Sequence, residues 1–421
     1  MNQKIMKSHS ILLIADKILF AGAPVLGVTF ISRYYGLEDF AYGSFWFSMY
    51  GVALAVISVS YEPIIYEALH KKNGNKIQAI FLVSAAIASV LALVVISSGH
   101  NIVDARYEHT KVSLATSIFL TPLYLSETFL RYNREYLSVF RVRLAVTMGF
   151  AVGKFMLANN SSDFGQFFTL SMIEYVVSPM IFSVILLHRK RTSLRISRTN
   201  KNTNNTDTRE LLMAAASAGL VIFYTRTPQL LLNYDGSAEQ RAVFNAAFLV
   251  ITSLNIFTSA AYLRLMKGAI EEYSNEPNIY YANANKVLNW ISMGAILIIP
   301  VLAMFGPAVQ QKLFPISVTV EPMLYFTLGL YLMIITNALV RAQLVVILKM
   351  QEVNFVSAIM AIFFVYGLYF YADQYDALEA AKGLALSALI SGILTSFIFP
   401  PLRRMGRLQI RALIPYKFKA T

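Results

Sequence analysis

The chain has 421 residues, of which 57% are hydrophobic and only 14% charged, and its mean hydropathy is +0.55. Soluble domains are about a quarter charged, so the composition excludes an ordinary soluble globular protein. Lys+Arg number 36 against Asp+Glu 23, and membrane proteins gather such an excess on the cytoplasmic side, so the basic balance is read as topology and no nucleic-acid partner is expected.

A membrane-spanning helix needs about 20 mostly apolar residues, because each backbone N–H and C=O must find its partner inside the segment. About twelve such stretches follow one another. The first six cover roughly 11–35, 41–69, 77–98, 114–130, 136–157 and 164–187. A polar stretch, HRKRTSLRISRTNKNTNNTDTR, occupies 188–209, and six more spans cover roughly 211–232, 238–266, 282–305, 325–348, 353–371 and 378–399. The expected architecture is an all-α integral membrane protein. It has an N-terminal six-helix lobe over 1–188, a basic linker over 189–209, a C-terminal six-helix lobe over 210–402 and a basic tail over 403–421.

With the N-terminus inside, Lys4, Lys7, Lys71, Lys72, Lys76, Arg131, Arg134, the basic linker, Arg264, Lys267, Lys349 and the basic tail are all cytoplasmic. The opposite loops hold mainly Arg106, Lys111, Arg241, Lys312 and Lys382, mixed with Asp104, Glu108, Asp163, Asp235, Asp373 and Asp376. This is the asymmetry of the positive-inside rule, and it puts both termini in the cytoplasm. The first span lacks a small-residue cleavage site and is expected to be retained. Anionic membrane lipid can bind the linker at about 1 kcal/mol per basic residue, although a topology determinant is its simpler reading.

Spans of this length leave no loop large enough for a folded catalytic domain. The sequence has no GxxxxGK[ST], HExxH or GxGxxG motif, which disfavours a directly ATP-driven pump. It also has no cysteine, and hence no disulfide framework, thiolate metal site or cysteine nucleophile. His100, Asp104, Glu108 and His109 share one outer loop, for which solvation is a simpler reading than metal binding. No cofactor and no metal are expected.

The two halves echo each other. Tyr35-Gly36-Leu37-Glu38-Asp39-Phe40 and Tyr234-Asp235-Gly236-Ser237-Ala238-Glu239 each follow the first span of a half and open its second. Gly36 and Gly236 are expected to supply the positive φ of a tight turn, and the acidic residues suit a helix N-terminus. With Lys4 and Lys7 at a basic tip, Asp16-Lys17 early in the first span, and Tyr35-Gly36 followed by Phe40 and Gly43, the chain resembles the Wzx O-antigen flippases. These form the polysaccharide-transporter branch of the multidrug/oligosaccharidyl-lipid/polysaccharide (MOP) exporter superfamily. The resemblance implies two six-helix lobes rocking around a central cavity, as in its MATE relatives. It also implies an undecaprenyl-diphosphate-linked oligosaccharide as cargo, carried from the cytoplasmic to the periplasmic leaflet of a bacterial inner membrane. A polysaccharide polymerase and a chain-length regulator are the protein partners it implies.

Ionisable residues inside spans cost about 2.5 to 3.5 kcal/mol each on insertion scales and normally face a cavity or a partner. This chain keeps Asp16, Lys17, Glu62, Glu67, Glu127, Arg141, Arg143, Lys154, Glu174, Arg226, Lys286 and Arg341 there, seven basic and five acidic. Arg143, Arg226 and Arg341 are the anion-binding candidates, since guanidinium stays charged when desolvated and forks onto phosphate oxygens; an interhelical salt bridge is the alternative for each. Lys17 and Lys154 join the substrate-binding set, with snorkelling to the interface as the alternative. Asp16, Glu62, Glu127 and Glu174 are candidate carriers for a coupling H+ or Na+. Glu127 has Arg131 at i,i+4 as a ready ion-pair partner.

A flippase of lipid-linked oligosaccharide, with no catalysis, is therefore the first reading. A membrane glycosyltransferase of the polymerase or ligase type would need a larger external loop to gather its acid and base groups. A drug antiporter of the same superfamily, with cationic substrates, would favour a carboxylate-dominated cavity.

Overall fold

The computed structural model describes residues 3–58, 61–70, 73–97, 108–133, 135–160, 163–193, 208–265, 273, 275–315, 319–348 and 350–413. The central part of the basic linker, the outer loop with His100 and Asp104, and the last eight residues lie outside the described residues. The chain folds into two compact units, Met1–Gly219 and Leu220–Thr421.

Helices occupy all twelve predicted stretches. In the first unit they are α1 (Gln3–Tyr34), α2 (Leu37–Ile57), α3 (Glu62–His70), α4 (Gly74–Ser97), α5 (Glu108–Leu120), α6 (Leu125–Tyr132), α7 (Tyr136–Asn160) and α8 (Phe164–Ser193). Helix α9 (Thr208–Asp235) leads into the second unit, which continues with α10 (Ala238–Leu265), α11 (Pro277–Leu313), α12 (Pro322–Ile347), α13 (Gln351–Tyr371), α14 (Ala377–Gly392) and α15 (Arg403–Leu413). Among the described residues, seven segments suffice by length and composition to cross a membrane: Gly74–Ser97, Tyr136–Asn160, Phe164–His188, Pro277–Leu313, Pro322–Val345, Glu352–Tyr371 and Ala377–Phe397. On α4 the division of labour is plain. Ile77, Ile80, Ser84, Ala88 and Ala92 are buried at helical spacing, while Leu82, Val90, Leu93 and Val94 are exposed as a lipid-facing row.

Three predicted spans are not continuous helices. The second breaks after Ile57, ahead of Pro63, and the fourth tightens into a 3-10 turn, Thr121–Tyr124, at Pro122. Inside a membrane such breaks persist only where protein groups take up the freed carbonyls. Here Ser84 Oγ donates to the Ile57 carbonyl at 2.6 Å, and Ser58 Oγ donates to the Thr121 carbonyl at 3.0 Å, joining one break to the other. The last span ends at Gly392 and passes through the 3-10 turns Leu394–Phe397 and Pro400–Leu402 into α15. The first half of the predicted tail is thus an ordered helix, with Met405, Gly406, Gln409 and Ala412 buried.

The internal echo extends to packing. In the first unit α2 packs on α4 and α5, α4 on α5, and both α5 and α7 on α8; in the second α10 packs on α11 and α12, α11 on α12, and both α12 and α13 on α14. Each unit has its own apolar core, around Tyr61, Ile65, Ile80, Phe129 and Phe182 in the first and Phe244, Ile251, Tyr325, Leu328 and Leu384 in the second.

The two glycine turns are built differently from expectation, because neither uses a positive φ. Gly36 is extended (φ −74°, ψ 170°) and caps α2, its N–H directed at Asp39 Oδ2 at 3.4 Å. Gly236 is required for space instead: a Cβ there would lie 2.5 Å from the Leu232 carbonyl oxygen.

Candidate functional site

In the first unit the buried in-span charges among the described residues neutralise one another. Asp16 on α1 accepts from Arg131 Nη2 at 2.7 Å and from Arg143 Nε on α7 at 2.6 Å. Glu127 on α6 pairs with Arg131 across one helical turn and with Arg143 Nη2 at 2.6 Å. All four side chains are buried, and the Arg143 guanidinium also lies over the Phe20 ring, 4.7 Å from its centroid. Lys154 on α7 pairs with Glu174 on α8, both buried. Snorkelling, the alternative for Lys154, is not what its side chain does. Two carboxylates face two guanidinium groups and one carboxylate faces one ammonium, so the described clusters carry no net charge.

This closure bears on several candidates at once. Arg143 takes the interhelical ion-pair arrangement, and the i,i+4 pair of Glu127 with Arg131 is present. Asp16, Glu127 and Glu174 are each held by cations. The side chains of Lys17, Glu62 and Glu67 lie outside the described residues. Arg141 and Lys286 are exposed. Among the described residues no cluster of three or more His, Cys, Asp or Glu is arranged to hold a metal.

The second unit is the opposite case. Of its ten acidic residues, the eight that are described all fall at helix ends or in loops, while Arg226 and Arg341 sit within helices. Neither pairs with a carboxylate among the described residues. Arg226, on α9 just before Thr227-Pro228, donates to Gln229 Oε1 at 3.0 Å, and Gln229 Nε2 donates to Asn245 Oδ1 on α10 at 2.9 Å. Its guanidinium lies 4.7 Å from the centroid of Phe248, a cation–π contact, and its Nε has no partner among the described residues.

Arg341 is 4% exposed. It donates through Nη1 to the Ser391 carbonyl and through Nη2 to Ser357 Oγ at 2.8 Å, leaving Nε without a partner among the described residues. Thr395 Oγ1 donates to the same Ser391 carbonyl at 2.9 Å, and Ser391 Oγ bonds Tyr224 on α9 at 2.8 Å. That carbonyl is available because α14 stops at Gly392. A buried cation met only by neutral dipoles is costly, and such a site is chemically ready for an anion. Sequence reading found the two arginines but missed Tyr224, Gln229, Asn245, Ser357, Ser391 and Thr395; the Ser391-Gly392 pair inside a span was the one available signal for the break.

No protein-family model matches the chain, and neither does any curated protein. Solved structures do. A multidrug-resistance MATE transporter of the MOP superfamily in an inward-facing conformation matches with a TM-score of 0.64 at 14% identity, over 96% of this chain and 95% of its own. A MATE protein in a bent conformation matches with a TM-score of 0.63 at 13% identity, over 98% and 97%. A MOP-superfamily transporter from Pyrococcus furiosus, whose binding pocket is described as reversed in polarity, matches with a TM-score of 0.63 at 12% identity, over 96% and 95%. The chain therefore has the all-helical, multi-pass membrane fold of the MATE transporters it matches.

Proposed function

We propose that this protein is a flippase that moves an undecaprenyl-diphosphate-linked oligosaccharide from the cytoplasmic to the periplasmic leaflet of a bacterial inner membrane by alternating access. The observation that carries this reading is the charge asymmetry between the units. The first unit's described ion pairs are closed, whereas in the second the partly buried Arg226 and the buried Arg341 have no counter-ion among the described residues, and each keeps an Nε without a partner there. A diphosphate supplies the missing negative charge, and guanidinium forks onto its oxygens.

A drug antiporter for cations would need open carboxylates, and Asp16, Glu127 and Glu174 are all engaged by cations. The Pyrococcus furiosus structure is a precedent in this fold for a pocket of changed polarity being taken to indicate a different function. Coupling to H+ or Na+, and work beside a polysaccharide polymerase and a chain-length regulator, belong to the same proposal, as does the cytoplasmic placement of both termini.

The test is leaflet location after depletion of the protein in its native cell, using a membrane-impermeant glycan reagent applied from the periplasm. Accumulated lipid-linked repeat units that resist the reagent are the expected result. Reagent-accessible, unpolymerised units would mean that flipping is intact and would move the assignment to a polymerase. No accumulation would move it to a drug antiporter.

A further inference from the structure

Helix α11 has 37 residues, about 55 Å at the α-helical rise, whereas the hydrocarbon core of a bilayer is about 30 Å thick. Its sequence shows where the excess lies. From Trp290 to Val309 the exposed face is apolar, with Trp290, Met293, Leu297, Val301, Met304 and Phe305 among its members. Before Trp290 the helix carries Asn278, Asn283, Asn285, Lys286 and Asn289. Tryptophan marks the membrane–water boundary, so the first three turns of α11 stand outside the hydrocarbon.

Helix α15 packs on those turns. Leu402, Met405 and Ala412 share one core with Tyr280, Tyr281, Ala284, Val287 and Leu288. The opposite face of α15 presents Arg403, Arg404, Arg407 and Arg411, all exposed. Arg404 is held in place by Asn278 Oδ1 at 3.0 Å and stacks on Tyr281 at 4.2 Å, and Arg403 Nε donates to the Phe397 carbonyl at 3.0 Å. Among the described residues none of the four pairs with a carboxylate, and Arg407 and Arg411 have no hydrogen-bond partner. A basic stripe at headgroup depth, with its apolar side already satisfied by protein, has anionic headgroups as its complement.

We infer that α15 is a docking surface for anionic phospholipid, with Arg407 and Arg411 the free phosphate ligands and Arg403 and Arg404 the pre-positioned ones. The inference is independent of which cargo the protein carries. It is tested by hydrogen exchange over 403–413 in the full chain, reconstituted at one copy per nanodisc in phosphatidylcholine alone or with phosphatidylglycerol.

Phosphatidylglycerol is expected to slow exchange in α15, each free arginine contributing up to about fivefold. Arg407→Gln with Arg411→Gln should remove the lipid-dependent slowing, and Arg407→Lys with Arg411→Lys should retain it. Identical exchange of the wild-type chain in both lipids would overturn the inference, as would full slowing in the glutamine variant. Slowing that needs two copies per disc and not phosphatidylglycerol would assign the surface to a second copy of the chain, and would equally overturn it.

Discussion

Gln409 and Gly392 meet at the point where α14 gives out. The Gln409 amide donates to the Gly392 carbonyl at 3.2 Å and to the Asn337 carbonyl on α12 at 3.1 Å. Gly392 follows directly on Ser391, whose carbonyl accepts from Arg341. One buried side chain of α15 thus braces the helix end that presents a carbonyl to the buried guanidinium. Gln409→Ala leaves two buried carbonyls without that donor, at about 1–3 kcal/mol. A lowered thermal midpoint of the detergent-solubilised protein is expected, together with reduced export.

Arg226→Ala and Arg341→Ala are each expected to abolish export while leaving membrane levels unchanged. Losing a buried, charge-assisted contact to a phosphate is worth about 2–5 kcal/mol. The measurement is periplasmic accessibility of the lipid-linked repeat unit, with protein level followed by immunoblot. Normal export in either variant would take that residue out of the path.

The Lys154–Glu174 pair is expected to behave as a structural element. Lys154→Met alone strands a buried carboxylate and should cost about 3–5 kcal/mol, whereas Lys154→Met with Glu174→Leu removes both charges and should recover most of that loss. Thermal unfolding of the two variants decides the point. A double variant that is stable yet inactive in export would show that the pair takes part in transport.

The two glycine turns predict different sensitivities. A Cβ on Gly36 would meet nothing nearer than Asp39 Oδ2 at 3.8 Å, and its φ of −74° suits any residue. Gly36→Ala should therefore change stability by no more than about 0.5 kcal/mol. Gly236→Ala places a Cβ 2.5 Å from a backbone oxygen, and should cost about 1–3 kcal/mol. Thermal midpoints of the two variants, measured side by side, check this.

Tyr375 lies in the loop before α14, buried and with its hydroxyl unpartnered among the described residues. Burial first, and then the charges of Glu379 and Tyr369, push its phenol up from the ordinary tyrosine value. The folded state thus favours the neutral phenol. Its contribution to stability is complete below about pH 10, the unfolded value, and is lost as pH rises beyond it. Tyr375→Phe should be close to neutral at pH 7 and should flatten the loss of stability above pH 10, as read from thermal midpoints across that range.

The positions of the helices were legible in the sequence because a bilayer imposes a length that an apolar run must meet. The breaks were not, since a stretch such as 114–130 stays apolar through Pro122 and its 3-10 turn. Among the charges, Glu127 with Arg131 could be read from i,i+4 spacing. Asp16 with Arg143, 127 residues apart, depends on α1 and α7 lying side by side, which no local pattern encodes. The environment of Arg341 was hidden for a related reason. Its partners are a backbone carbonyl and one neutral hydroxyl, which look like ordinary filler until the end of α14 is placed.

The apolar stripe of α11 runs from Trp290 to Val309, ahead of the exposed Gln311 and Lys312, and measures roughly 30 Å when upright, about the hydrocarbon thickness of an average bilayer. In a thinner bilayer helix α11 must tilt or draw the surrounding lipid into a thicker annulus. Because α15 is seated on the protruding end of that same helix, a change in acyl-chain length that alters the tilt of α11 also moves the arginine row relative to the headgroup plane. Membrane thickness and membrane charge would then act on one lever.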